Sequence, residues 1–458
     1  MKKIYALLLV IVMPFLLKAQ GDSLFIRSIY DVALEKGHAY KNLEVLCKQV
    51  GARITGSAEA QKAVEWGYNL LSSYGFDTVY LQEINAPYWK RGTKEAGWIS
   101  TANNEFHKLN LLALGGSIAT NGLLKADIVE VADYEALKTI DKSAVKGKVV
   151  FINQAFDQKL INTFSAYGYC YPIRAFGAVE ASKLGAKAVI IRSLATPTDN
   201  HPHTGSLVYD DKTPKIPAAA ISTADADLLS AWLKQGNVAI ALEMDCKTLL
   251  NVTTYNVIAE MKGKDDQIIT FGGHLDSWDV GEGAHDDGAG IIHSIEALRI
   301  LKTLNYQPQH TLRCVLFMNE ENGNFGGKSY AKLAKQHKEK HLAAIESDRG
   351  GFLPLGYDVL GSDEHLDFVK SFDKLLFNYD LTKIKKGYSG VDIMPLREEY
   401  PDMLQIGIAI NSQLYFNYHH AETDVFEAVN KRELEMGAGA MATIVYLLDK
   451  YLEAGVKH

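Results

Sequence analysis

Cysteine is scarce in this chain. Its 458 residues include four, Cys47, Cys170, Cys246 and Cys314, and no two stand in a Cys-x-x-Cys pair. Zinc held by thiolates is therefore excluded. The even number permits disulfides without requiring them in so long a chain. Cys314 lies inside the apolar run Leu312 to Met318 and is expected to be a buried thiol. An excess of basic residues is also missing. Lys and Arg number 48 against 55 Asp and Glu, a formal net charge of -7, which leaves no electrostatic footprint for nucleic acid. Past residue 20 no apolar run is long enough to span a membrane. Internal repeats and low-complexity tracts are absent as well.

What is present begins with Met1-Lys2-Lys3, an apolar run from Ile4 to Leu17 interrupted by Pro14, and Lys18-Ala19-Gln20. A short positive segment, an apolar stretch and a small residue near its end describe a secretory signal peptide, cleaved near Ala19 or Gln20. No cysteine follows the run, which argues against a lipoprotein anchor. The expected location is secreted or periplasmic, with no stable membrane insertion after cleavage. The length suggests two to three domains.

Ser57 to Tyr74 has helical periodicity, with Ser57 placed to cap it and Gly75 to end it. Between residues 124 and 245 the texture changes. Lys146-Gly147-Lys148 turns into the apolar run Val149 to Ile152, Phe176 to Leu184 is helical, and Ala186 to Ile191 and Ile216 to Ile221 are apolar strands. These elements resemble a protease-associated domain, an insert found in several exopeptidase families. Tyr167, Tyr169 and Tyr171 alternate, as on one aromatic face of a strand, and are expected in core or dimer packing, with a substrate cleft as the alternative. From Tyr255 onward strands alternate with helices, which implies an α/β domain with a mixed, largely parallel sheet flanked by helices. The expected divisions are a signal peptide over 1–20, peptidase segments over 21–123 and 246–458, and the insert over 124–245.

The chemistry sits at the ends of these apolar runs. Gly273-His274-Leu275-Asp276 follows one strand, and Gly283-Ala284-His285-Asp286-Asp287-Gly288 opens the next helix. Asn319-Glu320-Glu321, Glu346-Ser347-Asp348 and Tyr418-His419-His420 follow three others. In α/β sheets, ligands gather at the carboxyl ends of strands. Two histidines and three carboxylates can hold two zinc ions if one carboxylate bridges. Three carboxylates and one hydroxide would balance the charge of two divalent ions. A further carboxylate, left unligated, would serve as the base for a water. In the pair Glu320-Glu321, neighbouring side chains point in different directions, so one can ligate while the other faces a substrate.

These motifs resemble the di-zinc exopeptidase family that includes the bacterial leucyl aminopeptidases and glutamate carboxypeptidase II, and above all its plasma glutamate carboxypeptidase subgroup. The resemblance covers nearly the whole chain past residue 20. It reaches into the insert, where Pro202-His203-Thr204-Gly205 and Tyr209 are typical of that subgroup. It implies that His274 and Asp348 hold one zinc, Glu321 and His420 the other, and that Asp286 bridges. It also implies that Glu320 is the general base and that Asp276 orients His274. Asp287 is expected to be structural and His285 to have no ligand role. Either member of His419-His420 could ligate, and the resemblance favours His420. After His420 the chain departs from the family pattern and reads Ala421-Glu422. Ser389 to Leu396 is similar to a family loop near the specificity pocket.

The function so implied is that of an exported zinc exopeptidase acting on dipeptides or short peptides, a dipeptidase or carboxypeptidase. An aminopeptidase releasing N-terminal residues is the alternative. A receptor-like binding protein on the same fold is a third reading, and it would be expected to have lost ligands or base. A homodimer is compatible with the sequence. The insert is expected either to roof the cleft, with His203 and Tyr209 facing the substrate, or to serve only in dimer contacts.

Overall fold

The computed structural model describes residues 21–455, and the expected signal peptide lies outside them. Two eight-stranded sheets organise the chain. At the centre of the first, strands Thr311–Phe317, Gln267–His274, Lys340–Glu346 and Leu404–Ile410 run parallel in that order. A pair of strands flanks them on each side, joined to the centre antiparallel. Lys247–Met261 joins one side and pairs outward with Thr78–Lys90, while Pro354–Leu360 joins the other and carries the edge strand Lys383–Lys386.

The central strands are near-continuous apolar runs because both of their faces are covered. In Thr311–Phe317, Leu312, Cys314 and Leu316 pack into one core with Ile291, Ile295 and Leu298 of helix Ala289–Thr303 and with helix Lys431–Gly455. The alternate residues Val315 and Phe317 pack on the other face with Tyr330 and Ala331 of helix Phe325–Gln336. Period-two alternation thus distributes one strand between two helical layers. Helix Ala58–Ser73 forms where its pattern predicts, with the Ser57 side chain accepting from the Ala60 N–H.

The second sheet has the order Phe106–Leu109, Glu95–Thr101, Val238–Met244, Leu124–Val131, Val149–Ile152, Ala188–Arg192, Ala218–Ile221, Leu111–Ala113. Its apolar residues form two clusters, one shared with Phe352, Tyr415 and Phe416 of the first unit and the other with Ile54 and Trp278. Three of its strands precede residue 124, so this unit occupies the chain between Lys90 and Lys247, a longer stretch than 124–245.

Tyr167, Tyr169 and Tyr171 do not lie on a strand. They belong to the 21-residue helix Thr163–Lys183, capped by Asn162 and containing Pro172. A stripe of Ala166, Cys170, Ile173, Gly177 and Ala181 at helical spacing is buried and sets the period, which the alternating tyrosines and the proline conceal. Tyr167 and Tyr171, four apart, share a face with Arg174, whose guanidinium lies 5.3 Å from each ring centre, while Tyr169 is exposed. All four cysteines are free and buried. Among the described residues, no helix is long and apolar enough to cross a membrane.

Candidate metal centre

Each of the four central parallel strands delivers part of the site at its carboxyl end. His274 is the last residue of its strand, and Glu320-Glu321, Asp348 and His419-His420 lie in the segments that follow the other three. Asp286 comes from the turn that leads into helix Ala289–Thr303.

The arrangement centres on Asp286. Its Oδ1 is 3.1 Å from His274 Nε2, and its Oδ2 is 3.2 Å from His420 Nε2. Asp348 lies 3.4 Å from His274 Nε2, and Glu321 lies 3.2 Å from His420 Nε2. One carboxylate therefore stands between two imidazoles, each with a further carboxylate of its own. His419 Nε2 is farther from Asp286, at 3.8 Å.

The donor set fits zinc. Asp286 Oδ2 and Glu321 Oε1 are buried without a hydrogen-bond partner, as oxygens reserved for a cation would be. Each histidine turns Nδ1 to a backbone carbonyl, His274 to Asp276 (3.0 Å) and His420 to Thr204 (3.2 Å). Such contacts place the proton on Nδ1 and leave the Nε2 lone pair facing the carboxylates. Without a cation, burial and then the neighbouring Asp286 charge push Glu321 up to about 7. Burial disfavours a charged His420, yet Glu321 and Asp286 outweigh it and raise the imidazole to about 9. Burial, with Asp348 and Glu321 nearby, raises Glu320 well above the usual carboxylate range.

The surrounding residues hold this cluster in place. Asp287 accepts from the backbone N–H groups of His274 and Gly290, each at 3.0 Å, and also offers an oxygen near His274 and Asp348. The Asp276 carboxylate is 3.8 Å from His274 Nδ1 and is bonded elsewhere. It accepts from Asn319 N–H (2.9 Å), Glu320 N–H (3.1 Å) and the Thr55 hydroxyl (2.7 Å). It orients the glutamate loop, and the carbonyl of the same residue orients the imidazole. His285 lies outside the cluster, stacked on Phe352 at 4.2 Å.

His203 and Tyr209 are not brought to the substrate side. His203 is buried with Nδ1 2.6 Å from the His419 carbonyl, and the Tyr209 hydroxyl donates to the Ile216 carbonyl at 2.5 Å. Neither lines the cleft of about 850 Å³ that opens over Asp286, Glu320, Glu321 and Asp348. Tyr167, Tyr171 and Arg174 of the second unit form one wall of it, and Tyr388 and Val391 form another. The loop from Ser389 to Leu396 thus borders the cleft, and its Val391 and Ile393 N–H groups donate to Glu346, each at 2.9 Å.

Three contributors carry no sequence motif. Arg174 is visible only once its helix is recognised. Arg53 is fully buried and donates to the carbonyls of Leu275 (2.6 Å), Glu282 (2.7 Å) and Gly283 (2.9 Å), fastening the chain between His274 and Asp286. Asp424 accepts the backbone N–H groups of His285 and Asp286.

Residues 256–445 match the profile of Peptidase family M28. Carboxypeptidase Q of Mus musculus is 34% identical over 420 residues, covering 90% of this chain and 86% of that protein. Carboxypeptidase Q of Homo sapiens is 34% identical over 423 residues, covering 90% and 85%. Among solved structures, a peptidase M28 precursor from Shewanella amazonensis SB2B superposes with a TM-score of 0.89 at 33% identity, over 94% of this chain and 97% of that one. A zinc aminopeptidase from Bacillus subtilis shares the fold, with a TM-score of 0.63 at 21% identity over 89% and 94%. The chain belongs to Peptidase family M28 and is a metallo-exopeptidase.

Proposed function

We propose that this exopeptidase holds two zinc ions per chain and hydrolyses dipeptides or short peptides after export from the cytoplasm. The observation that carries the reading is Asp286, with one oxygen toward His274 and the other toward His420. His274 and Asp348 would hold one zinc, Glu321 and His420 the other, with Asp286 shared. Zinc so bound supplies Lewis acidity to the scissile carbonyl and to the attacking water.

The chain's own residues do the rest. Glu320 lines the cleft next to Glu321 and is the carboxylate left for proton transfer. It accepts the proton of the attacking water and passes it to the leaving amine. Asp276 fixes where Glu320 sits by accepting its backbone N–H. The second unit, read as the protease-associated domain, contributes Tyr167, Tyr171 and Arg174 to the cleft wall and so limits what can enter.

The test is hydrolysis of a dipeptide library by the purified zinc-loaded protein, with the amino or the carboxyl end blocked in turn. Free dipeptides should be cleaved. Loss of turnover on blocking only the carboxyl end identifies a carboxypeptidase, and loss on blocking only the amino end an aminopeptidase. Failure to cleave any free dipeptide while longer peptides are cut internally would overturn the reading. N-terminal sequencing of the exported protein should find a start near Gln20 or Gly21, and a retained Met1 would remove export from it.

A further inference from the structure

The loop Pro202-His203-Thr204-Gly205 reaches the metal centre from the second unit without lining the cleft. Its anchorage lies in the second sheet. The His203 N–H donates to Ser193 Oγ (2.8 Å), and that hydroxyl donates to the Ile221 carbonyl (2.7 Å). Thr204 Oγ1 donates to the Ala113 carbonyl at 2.8 Å, and the Gly115 N–H donates to the Gly205 carbonyl at 3.0 Å.

From this anchorage the loop makes three contacts with the pair His419-His420. His203 Nδ1 lies 2.6 Å from the His419 carbonyl, a contact that requires the proton on Nδ1. The Thr204 N–H donates to the His420 carbonyl at 3.0 Å. The Thr204 carbonyl in turn accepts from His420 Nδ1 at 3.2 Å. Arg174 Nη1 approaches the same nitrogen at 3.3 Å. A guanidinium only donates, so a bond from it would require an unprotonated Nδ1 and would put the proton on Nε2. Only the tautomer that satisfies Thr204 leaves Nε2 free toward Asp286 and Glu321.

His420 has a physical need for such support. Its φ is +63°, in the left-handed region. A side-chain-bearing residue in that region persists only where its surroundings over-determine it. Gly205 lets the loop come close enough to do so. At its φ of +132° side chains are rare, and a Cβ there would lie 2.4 Å from Arg174 Nη1 and 2.7 Å from His420 Nδ1.

We infer that His203, Thr204 and Gly205 form a clamp that holds His420 in its ligating conformation and tautomer, as positioning residues for one of the two metal sites. The inference rests on His420 being a zinc ligand, as proposed above. It assigns His203 to the metal centre, in place of the substrate contact expected from sequence.

Zinc affinity of each site, measured by competition with a chromophoric chelator on the purified zinc-loaded protein, tests it. The unmodified protein should show two sites, and His420→Ala should lose one. A His420→Ala protein that keeps both overturns the ligand assignment and the clamp with it. With that control satisfied, His203→Leu should weaken one site about 10–100-fold and leave the other unchanged. His203→Asn, whose side-chain N–H can replace the Nδ1–H, should recover most of the loss. Gly205→Ala, an independent variant, should weaken the same site. Parent-like zinc binding in His203→Leu and Gly205→Ala overturns the clamp alone. Equal weakening of both sites, or no recovery in His203→Asn, also overturns it, because either result marks general destabilisation.

Discussion

Asp424 holds the backbone of Asp286 from outside the donor set. Its Oδ2 accepts the Asp286 N–H at 3.0 Å while its Oδ1 accepts the His285 N–H at 2.7 Å. The residue placed between two histidines is thus fixed by a carboxylate 138 positions later in the chain.

Asp424→Ala removes both acceptors and leaves two buried amides without partners. Each orphaned amide costs about 1–3 kcal/mol. We expect a lower melting temperature and a loss of zinc affinity of about 10–100-fold, the usual range for an outer-shell partner. Thermal unfolding with and without chelator, alongside metal analysis, checks both. An unchanged affinity would show that the Asp286 turn holds itself.

Glu320→Gln should keep its metal and lose about a hundredfold to ten-thousandfold in turnover, the range of a general base. Glu321→Gln should instead lose metal, because its Oε2 faces His420 Nε2. Parallel measurement of zinc content and dipeptide turnover distinguishes the two, and the reverse pattern would exchange their roles.

A third expectation concerns acid, away from the metal centre. Glu339 pairs with Arg313 through both oxygens, at 2.7 and 3.1 Å, and accepts from His341 at 3.1 Å. Burial works against the charged form, yet these partners outweigh it and hold the carboxylate at about 2, against an ordinary 4.5. A depressed carboxylate stabilises the fold above its unfolded value and loses that contribution as pH falls through its folded value. The pair is partly open to solvent, so screening reduces the contribution to about 1–2 kcal/mol. Glu339→Gln should therefore be less stable at neutral pH. The gap from the unmodified protein should close between about pH 4.5 and pH 2 in denaturant titrations.

The four buried thiols should not react with an aromatic disulfide reagent in the folded protein. All four should titrate once the chain is denatured, without prior reduction. Fewer than four under denaturing, non-reducing conditions would indicate a disulfide and a different packing around at least two of them.

Much of the first sheet is legible in the sequence, for a physical reason. Parallel strands covered on both faces are written as apolar runs, and the groups that bind ligands follow those runs directly. His274, the pair Glu320-Glu321 and Asp348 can be read in this way, whereas the choice of His420 over His419 and the separate roles of the two glutamates come from the family resemblance. What supports these residues cannot be read so. His203 meets His419 across 216 positions, and Arg53 meets Leu275 across 222. Arg53 stands in no pattern that marks it, and the motif around His203 points to the substrate, not to the His419-His420 pair. The helix Thr163–Lys183 is hidden for a different reason. Alternating tyrosines imitate a strand period, and its true stripe is made of small residues that carry little hydrophobic signal. The Arg174 contribution to the cleft is hidden with it.

The pairing of Thr78–Lys90 with Lys247–Met261 bears on how such a chain could be assembled from parts. The two strands run side by side to the pair Lys90–Lys247, where the chain departs for the second unit and where it comes back. Exit and entry are therefore hairpin neighbours, and a two-residue turn would join them. Deleting everything between them would leave the first sheet's strand order intact. The same junction could accept a foreign domain whose ends lie close together. A graft of that kind would keep the fold of the first unit and would still lack the carbonyl that turns His420 toward its metal.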